Sequence, residues 1–284
     1  MKKFACEMCG SGDLVKQGAY FVCQSCGTKY TPEDAKKLMI EGTVQVDKSN
    51  ELNNLYELAR RARNDNNSEK AQKYYEQILL MDPSGWEANF YSTYYQSMNC
   101  TIGEIQSAAV RICNCEDTVL KLIKHNVLNP IKRKEAVDEI AARLIEISDM
   151  LYNAAINHYK GIGDSIRSNY TQEMINNCCR ARDICYYFGD YVIDIFGDAY
   201  GKDIAVPCWK KGITEHNGMI QYFRHKESNV NIIMDYVSKI QKYEPQYSND
   251  AAIKQLQREK ISNYILIASL IFIPIFYIIF VSLL

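Results

Sequence analysis

Two Cys-x-x-Cys pairs within the first thirty residues constrain the fold of this chain more than any other feature. The pairs are Cys6 with Cys9 and Cys23 with Cys26, and each is followed at once by glycine. A two-residue spacer lets both thiolates of a tight turn face one metal ion, and two such pairs complete a tetrahedral zinc site. The glycines fit, because a turn that points N–H groups at its own thiolates needs a residue tolerant of positive φ.

The residues around these pairs predict a zinc ribbon. Three short stretches, at residues 13–16, 19–22 and 28–31, are typical of strands. Four thiolates with no histidine or carboxylate form a closed shell, which indicates one structural Zn²⁺ and not a catalytic one. A segment this short buries too little apolar surface to fold alone, so zinc binding is expected to supply about 10–16 kcal/mol of folding free energy.

The other end of the sequence predicts a membrane anchor. Residues 264–284 contain no charged side chain, and as a helix they would span about 31 Å, the thickness of a bilayer core. The alternative is a buried core helix, but such a helix is seldom apolar on every face. Basic residues precede the segment at Lys254, Arg258 and Lys260. We therefore expect a single-pass protein of the cell membrane that contacts the lipid bilayer through 261–284, with its N-terminal domains in the cytoplasm.

Between the two ends the apolar spacing is helical and proline and glycine are sparse. Helices are predicted at about 101–126, 132–159, 171–199, 203–224 and 227–243. The predicted segments are a zinc ribbon plus short helix at 1–46, an all-helical domain at 47–247, a polar and basic linker at 248–260 and the transmembrane anchor at 261–284.

The start of the helical domain predicts a tetratricopeptide-like hairpin. Small residues at Ala59 and Ala71 lie where two helices would approach closely, Tyr75 fills the wedge between them, and Pro83 ends the unit. The predicted fold class is therefore mainly α, with a helical-repeat body, a small N-terminal β zinc ribbon and one C-terminal transmembrane helix.

The remaining cysteines and histidines give no recognisable catalytic pattern. Core packing is the main interpretation of the cysteines, since buried cysteine behaves as a small hydrophobe; a second metal or redox centre is the alternative. No nucleotide-binding, hydrolase or kinase motif is present, so the chain is predicted to be non-enzymatic; a site assembled only in the folded body is a further alternative. The residues concerned are Cys100, Cys113, Cys115, Cys178, Cys179, Cys185, Cys208, His125, His158, His216 and His225.

The chain also contains 21 tyrosines, several of them in dense clusters. Two interpretations stay open. Adjacent tyrosines can place one ring in the core and one at its rim, or they can line a groove that binds a peptide. The clustered residues are Tyr74, Tyr75, Tyr91, Tyr94, Tyr95, Tyr186, Tyr187 and Tyr191.

Residues 6–10 and 23–27 resemble a transcription factor IIB-type zinc ribbon. More closely, residues 6–30 and 52–96 resemble a group of uncharacterised bacterial proteins in which such a ribbon precedes a tetratricopeptide-like helical region. The resemblance covers most of 1–247. It implies zinc at the four N-terminal cysteines and brings no established activity. The first turn lacks the proline that is common after the first cysteine of such ribbons.

These features together predict a membrane-anchored, cytosolic zinc-ribbon adaptor that binds a protein or peptide partner without catalysis. The alternative is a nucleic-acid-binding regulatory protein tethered to the membrane, with contacts from Lys16, Lys29, Lys36 and Lys37. Charge disfavours that alternative. Residues 1–46 carry six lysines against five acidic residues, and four thiolates around Zn²⁺ add a further charge of about −2.

Overall fold

The structure is a computed structural model that describes residues 6–34, 48–223 and 226–250, with residues 253, 254, 257, 258 and 261. The chain divides into two compact units, residues 1–54 and residues 55–284. The first contains a small sheet and the second is helical, as the sequence predicts. The finer division into four segments stays a prediction.

The sheet of the first unit has three antiparallel strands in the order β1-β2-β3. The strands are β1 (Leu14–Gln17), β2 (Tyr20–Cys23) and β3 (Lys29–Tyr30), each within two residues of its predicted position. A two-residue loop joins β1 to β2, and Gln17 pairs with Tyr20 across it. Phe21 pairs with Tyr30 and Val22 with Lys29, which fixes the register of the third strand.

The two faces of this sheet differ in burial. Side chains alternate between faces along a strand and cross-strand partners share a face. One face therefore presents Leu14, Phe21 and Tyr30, which pack with Cys6 and Cys23 in a small core. The opposite face is the outer face, formed by Val15, Gln17, Tyr20, Val22 and Lys29.

A helix begins directly after the sheet. The Thr31 hydroxyl accepts a hydrogen bond from the Asp34 N–H at 3.1 Å, and the Asp34 carboxylate accepts from the Thr31 N–H at 3.3 Å. This reciprocal pair is a capping box with aspartate in the acidic position. Residues 32–34 are helical, and the rest of the predicted short helix lies outside the described residues.

The second unit follows the predicted helical pattern. The observed bounds of the helices agree with the predicted bounds to within a few residues, because long segments with a helical spacing of apolar residues are the easiest to identify. The helices are α1 (Lys48–Asn64), α2 (Ser68–Met81), α3 (Trp86–Met98), α4 (Ile105–Asn126), α5 (Pro130–Gly161), α6 (Asp164–Arg167), α7 (Thr171–Phe196), α8 (Val206–Met219) and α9 (Lys226–Gln241), with 3₁₀ turns at Ile102–Glu104, Ser168–Tyr170, Asp198–Tyr200 and Ile220–Tyr222 and a π turn at Gly201–Ala205.

The residues predicted to line the inner face of the α1–α2 hairpin are buried. Ala59, Ala71 and Tyr75 are all completely buried. The turn ends where the Asn67 side chain accepts a hydrogen bond from the Lys70 N–H at 3.1 Å and caps α2.

Helix α7 is the centre of the helical body. It packs against α4, α5 and α8, and Cys178, Ile184 and Phe188 on it are completely buried. In a solenoid each repeat contacts only its neighbours. Since α6 is a single turn, α4 with α5 and α7 with α8 are successive helical pairs, and α7 contacts its own partner and the preceding pair; the predicted tetratricopeptide-like architecture stays a prediction.

The transmembrane helix predicted over 261–284 must be corrected. Within the residues that the structure describes, no helix combines the length and the apolar character that crossing a bilayer requires. The longest, α5, is amphipathic: Val137, Ile140 and Leu144 are buried while its charged residues lie mostly on the exposed side. The predicted transmembrane element and single-pass membrane localisation are therefore not supported by the described residues, and residues 262–284 of the predicted span lie outside them.

Candidate metal centre

The four predicted ligands lie together. The Sγ atoms of Cys6, Cys9, Cys23 and Cys26 are all within 4.8 Å of one another. Cys6 Sγ lies 3.5 Å from Cys26 Sγ, and Cys9 Sγ lies 3.6 Å from Cys23 Sγ. Zinc–sulfur bonds of about 2.3 Å in a tetrahedron place neighbouring sulfur atoms about 3.8 Å apart. The four cysteines can therefore hold one metal ion with little movement of the chain.

The two cysteine turns have the same backbone hydrogen-bond pattern. In each, the N–H of the first cysteine donates to the carbonyl five residues later, and the glycine N–H donates back to the first cysteine carbonyl. Both glycines have a left-handed backbone, with φ of +71° and +75°, which side chains with a Cβ rarely adopt. The bonds are Cys6 N–H to Ser11 O (2.8 Å), Gly10 N–H to Cys6 O (2.7 Å), Cys23 N–H to Thr28 O (2.9 Å) and Gly27 N–H to Cys23 O (2.8 Å).

Two hydroxyl groups contact the thiol cluster, and sequence reasoning missed both. The Tyr30 hydroxyl lies 3.1 Å from Cys6 Sγ and also accepts a hydrogen bond from the Glu7 N–H at 3.1 Å. The Thr28 hydroxyl lies 3.1 Å from Cys26 Sγ. Thr28 follows Cys26 by two residues, so its contact has a local sequence signal. Tyr30 reaches Cys6 only through the pairing of β2 with β3, and nothing in the spacing indicates it.

These contacts separate the acidities of the thiols. The Tyr30 hydrogen bond, helped by backbone N–H groups and opposed by burial, lowers the pKa of Cys6 to about 6. The Thr28 hydroxyl and N–H lower the pKa of Cys26. The Ser11 N–H lowers the pKa of Cys9, but burial and the neighbouring thiols outweigh it and raise the value to about 12. Hydrogen bonds to the charged form of a group favour that form.

The ligands also differ in exposure. Cys6 and Cys23 are each 1% exposed, whereas Cys9 and Cys26 are exposed. Within the described residues, solvent therefore reaches the four-cysteine cluster at the second cysteine of each turn.

The seven remaining cysteines do not form a second centre among the described residues, where the cluster of four is the one group of metal-ligating side chains. Cys178, Cys185 and Cys208 are buried in the helical body. Burial raises the pKa of the Cys178 thiol to about 12 and that of Cys115 to about 11. High thiol pKa values leave little nucleophilic thiolate, so these cysteines act as core residues.

The dipeptide Glu215-His216, which carries no sequence signal, belongs to a buried polar cluster. His216 Nε2 lies 3.1 Å from Asn229 Oδ1, and burial lowers the His216 pKa to about 3. The Ser148 hydroxyl lies 2.9 Å from a Glu215 carboxyl oxygen, and burial raises the Glu215 pKa to about 7. His216 therefore has hydrogen-bond partners in the core. The exposed His125 and His158 are surface residues.

The clustered tyrosines are mostly core residues and do not line an open groove. Tyr75 and Tyr91 are completely buried and their rings stack at 5.2 Å between centroids. Their hydroxyl groups reach glutamates: Tyr75 donates to Glu87 at 2.9 Å, and Tyr91 donates to Glu139. Tyr94, Tyr95 and Tyr186 are also buried, whereas Tyr187 is exposed. The Tyr75, Tyr91 and Tyr94 rings thus fill the core while their hydroxyl groups donate to carboxylates, and the Tyr186 hydroxyl lies 3.4 Å from His216 Nδ1.

Comparison with protein-family models gives no match for this sequence, and comparison with curated proteins gives none either. The resemblance to transcription factor IIB-type ribbons and to tetratricopeptide-like proteins therefore stays a prediction.

Proposed function

We propose that Cys6, Cys9, Cys23 and Cys26 bind one structural Zn²⁺, and that the ribbon is the binding platform of a non-catalytic adaptor for a protein or peptide partner. The donor set supports zinc. Four thiolates in tetrahedral geometry suit zinc or an iron–sulfur cluster and are poor ligands for magnesium or calcium. The short sulfur–sulfur distances favour a single ion.

The observation that carries the adaptor proposal is the apolar outer face of the ribbon. Tyr20 is 48% exposed and Val15 is 45% exposed. Both lie on the face turned away from the cysteine core, beside the half-buried Val22. A tyrosine flanked by two valines supplies the aromatic and apolar contact area that protein interfaces use. Metal binding would hold the strands that present this patch.

Charge favours a protein partner over a nucleic acid. Lys29 lies on the outer face, whereas Lys16 shares the opposite face with Phe21 and Tyr30. The two lysines therefore do not form one basic surface, and Lys36 and Lys37 lie outside the described residues. The described ribbon residues carry two lysines against four acidic residues, which are Glu7, Asp13, Glu33 and Asp34. Nucleic-acid binding depends on neutralising phosphates with positive charge.

Site-specific photo-crosslinking in living cells tests the adaptor proposal. The zinc-loaded full chain would carry p-benzoylphenylalanine in place of Tyr20, and a second version would carry it in place of Leu128, an exposed residue of the helical body. We expect a discrete protein adduct from position 20 that position 128 does not give. Val15→Lys in the position-20 version should remove the adduct, because a charge enters the centre of the apolar patch.

Three outcomes contradict the proposal. Adducts common to both positions would mean non-specific contact, and an adduct insensitive to Val15→Lys would place the partner elsewhere. A nucleic-acid adduct from position 20, weakened steeply by salt, would favour the regulatory alternative. Elemental analysis of the purified chain should give one zinc per molecule, and none in the variant with all four cysteines replaced by serine.

A further inference from the structure

The two cysteine turns are alike in their backbone but differ in the hydroxyl groups that reach their thiolates. Ser11 and Thr28 occupy equivalent positions, two residues after the second cysteine of each turn. The Thr28 hydroxyl lies 3.1 Å from Cys26 Sγ. The Ser11 hydroxyl instead accepts hydrogen bonds from the Ser25 hydroxyl at 2.8 Å and the Asp13 N–H at 3.2 Å. Among the described residues its hydrogen-bond contacts are with these two groups and not with Cys9 Sγ.

We propose that the Tyr30 and Thr28 hydroxyls are positioning groups of the metal centre, and that their arrangement leaves Cys9 as its most reactive ligand. The inference rests on the proposed zinc site. A metal-bound thiolate has no proton to give, so the hydroxyl is the donor in each contact. Donation to a ligating sulfur withdraws electron density from it and fixes its orientation.

The Tyr30 hydroxyl is held in place independently of any metal. It accepts the Glu7 N–H at 3.1 Å while its ring packs in the core with Cys6 and Cys23. The phenol oxygen is thereby oriented with its own proton toward Cys6 Sγ, and the Tyr30 side chain links β3 to the first cysteine turn. Loss of such an outer-shell partner typically weakens metal binding about 10- to 100-fold.

Exposure and hydrogen bonding together single out Cys9. Cys6 and Cys23 are buried, so an electrophile in solvent reaches Cys9 and Cys26. Both exposed thiols have the N–H of the residue two positions later as a donor. Within the described residues a hydroxyl donor reaches Cys26 and not Cys9. When all four sulfur atoms bind the metal as thiolates, Cys9 therefore keeps more electron density than Cys26 and reacts first.

Zinc transfer to a chromophoric chelator tests the Tyr30 contact in the full chain. Tyr30→Phe keeps the ring and removes the donor, and Tyr20→Phe on the outer face is the matched control. We expect Tyr30→Phe to lower zinc affinity about 10- to 100-fold and Tyr20→Phe to leave it unchanged. With Co²⁺ in place of zinc, Tyr30→Phe should shift the sulfur-to-metal charge-transfer band, which a purely structural role would leave in place. Affinity within twofold of wild type with an unshifted band would overturn the Tyr30 assignment.

Alkylation by iodoacetamide, mapped by mass spectrometry, tests the order of reactivity. The thiolate attacks the methylene carbon, the carbon–iodine bond breaks, and iodide leaves with the electron pair. The product is a neutral thioether, which is a weaker zinc ligand than a thiolate. We expect Cys9 to be modified before Cys26 in the wild type, and Thr28→Val to bring the two rates together. Equal rates in the wild type, or Thr28→Val without effect, would overturn this part.

The outcomes separate the inference from the proposed function. A wild-type chain with no bound zinc defeats the proposed metal site itself. A wild-type chain with one zinc whose affinity and alkylation order are insensitive to both hydroxyls defeats the inference alone. If Tyr30→Phe does not fold, Thr28→Val still decides the Cys9 part of the inference, because the Thr28 side chain is not part of the ribbon core.

Discussion

Replacement of Glu215 by glutamine should make the free energy of unfolding depend on pH in a range where that of the wild type is nearly constant. Glu215 on α8 is 3% exposed. The Ser148 hydroxyl lies 2.9 and 3.1 Å from its two carboxyl oxygens, and Lys211 Nζ lies 3.3 Å away. Burial outweighs these favourable contacts and raises the Glu215 pKa from an ordinary 4.5 to about 7.

The sign and size of the effect follow from proton linkage. Below pH 4.5 Glu215 is protonated in both folded and unfolded chains, and above pH 7 it is ionised in both. Between these values only the unfolded chain ionises freely, so the free energy of unfolding falls by about 3 kcal/mol as pH rises. The adjacent His216 acts in the opposite direction. Burial lowers its pKa from 6.5 to about 3, so its contribution to stability is complete above pH 6.5 and is lost as pH falls.

Between about pH 4.5 and 6.5 the Glu215 and His216 contributions to the free energy of unfolding change with pH at equal and opposite rates, so they cancel. Glu215→Gln removes one of them, and the His216 slope of about 1.4 kcal/mol per pH unit then remains. We expect the free energy of unfolding of the variant to exceed that of the wild type most above pH 7. This excess should shrink by about 3 kcal/mol as the pH falls from 7 to 4.5. The difference between the unfolding free energies of the variant and the wild type isolates Glu215, because every other titrating group is present in both proteins.

Urea unfolding followed by far-ultraviolet circular dichroism, at half-unit steps from pH 4.5 to 8, measures this difference. Glu69→Gln on the exposed side of α2 is the control and should run parallel to wild type. If the unfolding free energies of Glu215→Gln and wild type differ by a constant at every pH, Glu215 titrates as a solvated carboxyl and the reasoning fails.

Three further predictions concern the metal and the core. Chelation of zinc should unfold the ribbon and leave the helical signal of the body, because a segment this small depends on its metal; a ribbon whose amide protons stay protected would contradict this. Glu87→Ala should destabilise the body by about 1–3 kcal/mol, since it removes the acceptor of the buried Tyr75 hydroxyl and the partner of the half-exposed Arg60, whereas the exposed Glu69→Ala should cost little; equal losses would refute the assignment. Gly189→Ala should cost about 1–3 kcal/mol in denaturant unfolding, because the new Cβ would lie 2.6 Å from Trp209 Cδ1; an unchanged midpoint would show that the ring moves freely.

The metal centre could be predicted almost completely from the sequence, because its geometry is local. Two residues separate the cysteines of each pair, and the glycine that follows sets the turn, so the chain has few other ways to arrange them. The Tyr30 contact could not be predicted in the same way. Tyr30 lies 24 residues from Cys6, and the register of three short strands decides whether its hydroxyl reaches that thiol or solvent.

The helical body shows the same division between local and distant information. The spacing of apolar residues predicts where helices lie, since it depends on neighbours three and four positions away. It does not predict that α7 packs on α4, α5 and α8, because that arrangement depends on how separate faces fit. The tetratricopeptide-like repeat stays a prediction for the α1–α2 hairpin and for the rest of the body.

The tyrosines show why an amphipathic side chain is the hardest to place from sequence. The same ring and hydroxyl suit an exposed binding groove or a buried position with a polar partner. In α3 the buried position is favoured because carboxylates from another helix accept hydrogen bonds from the tyrosine hydroxyl groups. Tyr91 donates to Glu139 and Tyr94 donates to Glu146, and both glutamates lie on α5. These partners lie 48 and 52 residues away. A core position for tyrosine is thus specified jointly by two distant segments, and neither segment alone carries the information.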